Sequence, residues 1–316
     1  MTAVQQDLIM RPITGPEELG LFTRLPYVLD HELAGDLDSG RRRPGWMWVA
    51  LRGDRLVARL AWWSRPGEPA PFLLDVFDVA DEAGGPGEAD DGVRLLRTAM
   101  AHVLPEGARP PEYIRYASPG WRDDAAERRA VETRTAALER TGARLFVERL
   151  RLEWRPGTPI AAPTGRLEFR PVAGRDELVA LMVKVLEGTL DAHSRDELTR
   201  MTAEKAAVRQ YEEELEGYLS PRDWWRVATL PGGDPVGFVI PAHNSYNPII
   251  AYIGVVPAHR GNGHIGELLA EGTRILAAQD VPRIRAATDV ANVPMAKAFH
   301  RAGYAVFERE LNHTWP

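Results

Sequence analysis

The chain has 316 residues, long for one core and comfortable for two domains, with 39 Lys and Arg against 45 Asp and Glu for a net charge of -6. That balance gives no electrostatic reason to expect nucleic acid, and the absence of any cysteine excludes disulfides, thiolate metal sites and a cysteine nucleophile. No apolar run approaches the ~18–20 residues of a membrane span, and the start MTAVQQDLIM has neither a basic nor an apolar signal segment, so a cytoplasmic location is expected.

In chain order, residues 8–19 (LIMRPITGPEEL) read as a strand followed by a Pro/Gly turn. Residues 48–63 alternate around Gly53-Asp54 and predict a β-hairpin. The strand FLLDVFDV (72–79) leads into ADEAGGPGEADD and a helix from Gly92, and residues 138–154 close with a helix, a glycine and a strand ending in Trp154. The segment RPGTPIAAPTGR (155–166) has the make-up of an interdomain connection. The series then repeats: 167–178 (LEFRPVAGRDEL) matches 8–19, 226–241 reads as a second hairpin, and 299–315 (FHRAGYAVFERELNHTW) matches 138–154. Two α/β domains of one plan are expected, 1–160 and 161–316.

The stretch 248–304 carries the chemistry. Ile250–Val256 predicts a strand ended by Pro257, then the loop AHRGNGHIG, then a helix from about Gly263 with Ile265, Leu268, Leu269, Gly272, Ile275 and Leu276 on one face. Ile284–Val290 predicts a strand. Asn292 or Val293 opens another helix, with Pro294 in its first turn and Gly303 past its end. A strand, a glycine-rich turn and a helix form an anion site, because free amides and the helix dipole both point at the turn. The loop holds Arg260, His259 and His264 and no acid, which suits a pyrophosphate. Gly261-Asn262-Gly263-His264-Ile265-Gly266 also satisfies G-x-G-x-x-G, but too little chain follows for a dinucleotide-binding fold.

The segment resembles the acyl-CoA signature of the GNAT acetyltransferases: Val255-Val256-Pro257, then Arg260-Gly261-Asn262-Gly263-His264-Ile265 before a helix. Asn292, Phe299 and Gly303-Tyr304 resemble the second signature. The resemblance implies two tandem GNAT folds, each a mixed, mostly antiparallel central sheet flanked by helices, the first of them degenerate. It implies acetyl-CoA as acyl donor, held by Val255, Val256, Arg260, Gly261, Asn262, Gly263, His264, Ile265, Gly266, Asn292 and Phe299. Three positions depart from the family pattern: Ile265 and Met295 stand where small residues are usual, and Phe299 stands where many members carry a tyrosine that reprotonates the thiolate. Length and two-domain plan are similar to those of the mycothiol synthases. In the first half, the loop after residue 79 carries Asp81, Glu82, Glu88, Asp90 and Asp91 and no basic residue, so a pyrophosphate would be repelled there.

By resemblance, an amine attacks the thioester directly, with the Val255 amide facing the acyl carbonyl. For the base, Asp289 ends the strand before Asn292 and reads equally as a cap or turn acid. Tyr252 faces the pocket or the core; Asp191 and His193 contact the acceptor or lie in a solvated turn. The run Glu212–Glu214 with Glu216 reads as a solvated face rather than a cationic-amine site. No metal-ligand pattern occurs. The expected partner is a small-molecule amine, with no nucleic acid and no membrane, in a monomer or homodimer. A protein N-terminal or lysine acetyltransferase, or a non-catalytic acyl-CoA-binding protein, are the alternatives.

Overall fold

The computed structural model describes residues 7–80 and 88–316. Two units result, Met1–Glu148 with Glu310–Pro316, and Arg149–Arg309. The first runs through β1 (Leu8–Pro12), short helices α1 (Leu19–Phe22) and α2 (Leu33–Asp38), β2 (Met47–Arg52), β3 (Arg55–Trp63), β4 (Leu73–Val79), α3 (Glu88–Val103), β5 (Tyr113–Ala117), α4 (Ala125–Glu139) and the start of β6 (Arg144–Trp154). The second takes the end of β6, then β7 (Glu168–Pro171), α5 (Arg175–Leu186), α6 (Ala192–Glu197), α7 (Ala203–Glu213), β8 (Arg226–Thr229), β9 (Pro235–His243) and β10 (Pro248–Val255). It continues with α8 (His264–Ala277), β11 (Ile284–Asp289), α9 (Val293–Arg301) and the start of β12 (Ala305–Thr314). The sequence reading places one cut at 160/161; these units divide inside β6 and again inside β12, because each long strand contributes residues to both.

Each unit is a mixed, mostly antiparallel sheet flanked by helices. In the first, β1, β2, β3 and β4 pair antiparallel in that order, and β5 joins β4 in parallel at Leu74↔Tyr113. In the second, β7, β8, β9 and β10 repeat the antiparallel order, β11 joins β10 in parallel at Ile249↔Arg285, and β6 pairs antiparallel with β11. A doubly wound parallel sheet, which the dinucleotide alternative needs, is not this topology.

The duplication extends to side chains. Arg11 forks onto Glu18, whose carboxylate also accepts the Thr14 amide at 2.7 Å; Arg170 forks onto Glu177, which accepts the Ala173 amide at 2.7 Å. The repeated R-P-x-x-G-x-x-E pattern is therefore a turn in which one carboxylate ties a strand end to the start of the next helix.

Helices cover both faces of the second sheet. Leu268, Leu269 and Leu276 of α8 pack with Val239, Ile250, Ile284, Phe299 and Tyr304 on one face. On the other, α5 and α7 bring Leu178, Met182 and Tyr211 against Trp225, Phe238 and Ile240. At Gly272 a Cβ would lie 2.7 Å from a Val239 methyl, so α8 approaches β9 as closely as only glycine permits. In the first unit Trp48, Leu60, Trp62, Phe77, Leu95 and Trp315 form the main core.

One boundary differs from expectation. Helix α3 starts at Glu88 rather than Gly92, so Asp90 and Asp91 belong to its first turn, where acids suit the dipole. Asp91 is buried against Arg52 at 2.7 Å and Asp90 pairs with Arg140 at 2.7 Å. Asp81 and Glu82 lie outside the described residues, as does the Glu88 side chain.

Candidate active site

Strands β10 and β11 touch at one register position, near their starts, and run on separately to Val255 and Asp289. The Val256 amide donates to the Val236 carbonyl at 2.9 Å on the β9 side. Alternation along an antiparallel strand then turns the Val255 amide to the opposite edge, toward the opening beside β11. This is a donor facing a gap between two strands.

The loop after β10 supplies further donors. Gly261 (φ 82°) and Gly263 (φ 78°) take left-handed backbone, which strains any residue with a Cβ. Among the described residues, nothing accepts a hydrogen bond from the five consecutive amides of Gly261–Ile265; the next, Gly266, donates to the Gly263 carbonyl at 3.1 Å. A Cβ at Gly266 would meet nothing within 4 Å. Free amides at the start of the 14-residue helix α8 make a cradle of the right sign for a phosphate. The residues present therefore fit the pyrophosphate of a coenzyme A.

Arg260 lies in this loop but points elsewhere. Its Nε donates to the Val255 carbonyl at 3.0 Å, Nη1 to the Glu187 carbonyl at 2.6 Å, and Nη2 to the Val185 carbonyl at 2.8 Å. The nearby exposed guanidinium is that of Arg166, from the segment the sequence presents as a linker. It donates to the Asn262 carbonyl at 3.2 Å and pairs with Glu267 in the first turn of α8. His264 is buried, and burial together with Arg166 lowers its pKa; its Nδ1 has no partner among the described residues. His259 pairs with Asp234 at 2.9 Å.

At the other lip of the opening, Asp289 is 1% exposed. One oxygen accepts from Arg149 Nε at 3.0 Å and the other from the Ala192 amide at 2.6 Å. Burial raises its pKa, Asp191 adds to the rise, and the Ala192 amide, Arg149 and His193 oppose it. Asp191 caps α6, accepting from the amide and hydroxyl of Ser194 at 2.8 and 2.9 Å. Tyr252 packs edge-on against Phe238, and burial plus the carboxylates Asp191, Glu214 and Glu197 push its phenol well up. The fold thus brings Asp191, at the start of α6, into electrostatic range of both Asp289 on β11 and Tyr252 on β10, and His193 into range of Asp289.

Asn292 caps α9, accepting from the Met295 amide at 3.4 Å. Phe299 is 1% exposed in the core, edge-on to Tyr304, whose hydroxyl bonds Thr273 at 2.8 Å. The sequence reading places Phe299 against the cofactor; the structure shows it packed under α8. The acidic run of α7 is engaged at the surface: Glu212 pairs with Arg175, and Glu214 accepts from the Tyr218 hydroxyl. No helix among the described residues is long and apolar enough to cross a membrane.

Residues 189–304 match the family model described as acetyltransferase (GNAT) family. No curated protein matches the chain. Among solved structures the chain is similar to a GCN5-related N-acetyltransferase from Sphaerobacter thermophilus, at 17% identity and a TM-score of 0.59, over 97% of this chain and 95% of that one. It is similar to a GCN5-related glucosamine N-acetyltransferase region of a fungal multi-domain β-N-acetylglucosaminidase, at 16% and 0.57, over 98% of this chain and 38% of that one. It is also similar to a tandem GNAT protein from the clavulanic acid biosynthesis pathway, at 17% and 0.50, over 98% of each. At these identities the likeness is one of fold, and it runs along the whole chain.

Proposed function

With residues 189–304 forming an acetyltransferase domain of the GNAT family, we propose that the second unit transfers acetyl from acetyl-CoA to the amine of a small molecule, while the first holds no cofactor. The observation that carries this reading is the row of acceptor-free amides at Gly261–Ile265 beside the strand opening at Val255. Bound there, acetyl-CoA supplies an acetyl group already activated as a thioester.

The chain's own groups then have separable tasks. The loop amides hold phosphate oxygens. The Val255 amide offers a hydrogen bond to a carbonyl oxygen as it gains charge. The group of Asp191, His193 and Asp289 attracts a cationic amine and takes its proton, the raised pKa of Asp289 bringing it nearer the working pH. Tyr252 stays protonated and serves as a donor, not a base. With Phe299 buried, no phenol stands at the family's tyrosine position; a thiol leaving group of pKa ~8–9 needs little help from an acid.

Calorimetric titration with acetyl-CoA tests this, with Gly266→Trp as comparator, since a Cβ at Gly266 meets nothing within 4 Å; its melting transition checks that the fold is kept. One site per chain, lost in Gly266→Trp, is expected. Two sites would overturn the assignment of the first unit, and no binding would overturn the whole reading. Turnover is then followed as released CoA thiol, free of background because the chain has no cysteine. Binding without thiol release for any amine would identify an acyl-CoA-binding protein instead.

A further inference from the structure

Two arginines flank the α8 cradle, and their surroundings are opposite. Every nitrogen of Arg260 is directed at main-chain carbonyls: Val255 at the end of β10, and Val185 and Glu187 at the end of α5, with Gly188 at 3.5 Å. A cation is the right sign for a helix C-terminus, and these carbonyls would lack a partner without it. Arg166 is half exposed and lies at the N-terminus of α8, where a cation is the wrong sign for the helix alone. Its three nitrogens are also engaged, Nε with the Thr164 hydroxyl at 3.4 Å, Nη1 with the Asn262 carbonyl at 3.2 Å and Nη2 with Glu267, which leaves two of the fork's five N–H groups for a ligand. Gly263 adjoins it: a Cβ there would lie 3.9 Å from Arg166 Nη2.

We propose that the two arginines divide the work, Arg166 gripping the cofactor's phosphates together with the Gly261–Ile265 amides, and Arg260 acting as a positioning residue that anchors the end of β10 without touching the phosphates. The assignment rests on the acetyl-CoA reading above. A cation held at a positive helix end is stable once an anion shares the site, and the five free amides mark where that anion lies. Arg260, by clamping the Val255 carbonyl to the end of α5, fixes the Val255–Val256 peptide and so anchors the strand end next to the Gly254–Val255 peptide whose amide faces the opening.

The test is calorimetry with acetyl-CoA at two salt concentrations, joined to steady-state kinetics, on the wild-type full chain, Arg166→Ala, Arg260→Ala and Arg260→Lys. Arg166→Ala is expected to bind roughly ten- to a hundredfold more weakly, with a shallower salt dependence and kcat little changed. Arg260→Ala is expected to bind within about threefold of wild type and to lose at least about tenfold in kcat. Arg260→Lys should fail to restore kcat, because one ammonium cannot reproduce a planar fork. Unchanged affinity in Arg166→Ala overturns the assignment, and that variant, altering an exposed side chain, leaves the fold intact. An Arg260→Ala chain that melts like wild type yet loses affinity as Arg166→Ala should would overturn the Arg260 half. Absence of binding by wild type would instead overturn the acetyl-CoA reading itself.

Discussion

The two units carry the same strand opening, with an arginine on the equivalent carbonyl in each (Arg134 on Val79, Arg260 on Val255), but the acids around it differ. In the second, β10 ends at Gly254-Val255, and the Val255 amide faces the edge beside β11. In the first, β4 ends at Asp78-Val79, and the amide of the next residue, Ala80, closes onto Val57 at 2.9 Å just as that of Val256 closes onto Val236. Two residues back, however, Asp78 stands where the second unit has Gly254. Asp78 is fully buried and meets Arg59 at 2.9 Å, Arg115 at 2.8 Å and Arg134 at 3.1 Å, while Arg134 also donates to the Val79 carbonyl at 3.2 Å. Burial alone would raise the Asp78 pKa; Arg115, Arg134 and Arg59 outweigh it and hold the carboxyl low. A second buried pair, Arg42 with Asp75 at 2.6 Å, lies further along the same strand. The opening of the first unit is plugged by its own ion pairs.

The largest effect should come from pulling the plug. Asp78→Ala leaves three guanidiniums around a missing anion and should cost about 3–5 kcal/mol, read as an earlier denaturant transition of the first unit. A change within about 1 kcal/mol would mean that water replaces the carboxylate and the plug is not structural. Acid should distinguish the units next. His313, in the first unit, has its pKa pushed down by burial to about 4 from 6.5, so its neutral form contributes stability above 6.5 that is lost as pH falls toward 4. That loss is up to about 3 kcal/mol, and a His313→Gln chain whose stability kept the same slope between pH 6.5 and 4 would refute it.

Smaller effects sharpen the open side of the comparison. At Gly254 a Cβ would lie 2.4 Å from a Val185 methyl, so Gly254→Ala must shift α5 against β10 at a cost of about 1–3 kcal/mol. Acetyl-CoA affinity should fall with it, as titration would show; unchanged affinity would separate the strand end from the cofactor. Least of all, Asn292→Ala removes the cap of α9 and should cost about 0.5–1 kcal/mol in thermal or chemical melts. A loss of acetyl-CoA binding larger than that stability change would show that Asn292 also touches the cofactor.

Much of this was readable from the residue order. The repeat, the glycine loop, the helix faces and the strand before them are local patterns, set by a few neighbouring residues. What escaped depends on partners remote in sequence. Arg260 carries a signature position, and only the approach of α5 shows that its donors meet carbonyls. Arg166 sits in a Pro/Gly-rich stretch with the composition of a linker, and its place beside Asn262 comes from the fold. Phe299 aligns with a tyrosine position, but packing under α8 decided its side. One signal was available and unused: FLLDVFDV holds two acids in an otherwise apolar strand, and carboxylates so placed require buried cations.

The division of the units inside β6 and β12 also bears on the order in which this chain can mature. Residues 149–309 are contiguous, so the second unit can assemble as it leaves the ribosome. The first cannot, because Glu310–Pro316 belongs to it: Trp315 fills its core, its indole donates to Thr141 at 3.2 Å, and its carbonyl accepts from Arg109. The half made earlier therefore waits for the half made later, with its buried arginines and aspartates exposed to water throughout synthesis. A nascent chain halted before residue 310 would hold nearly all of the second unit and an unfinished first one.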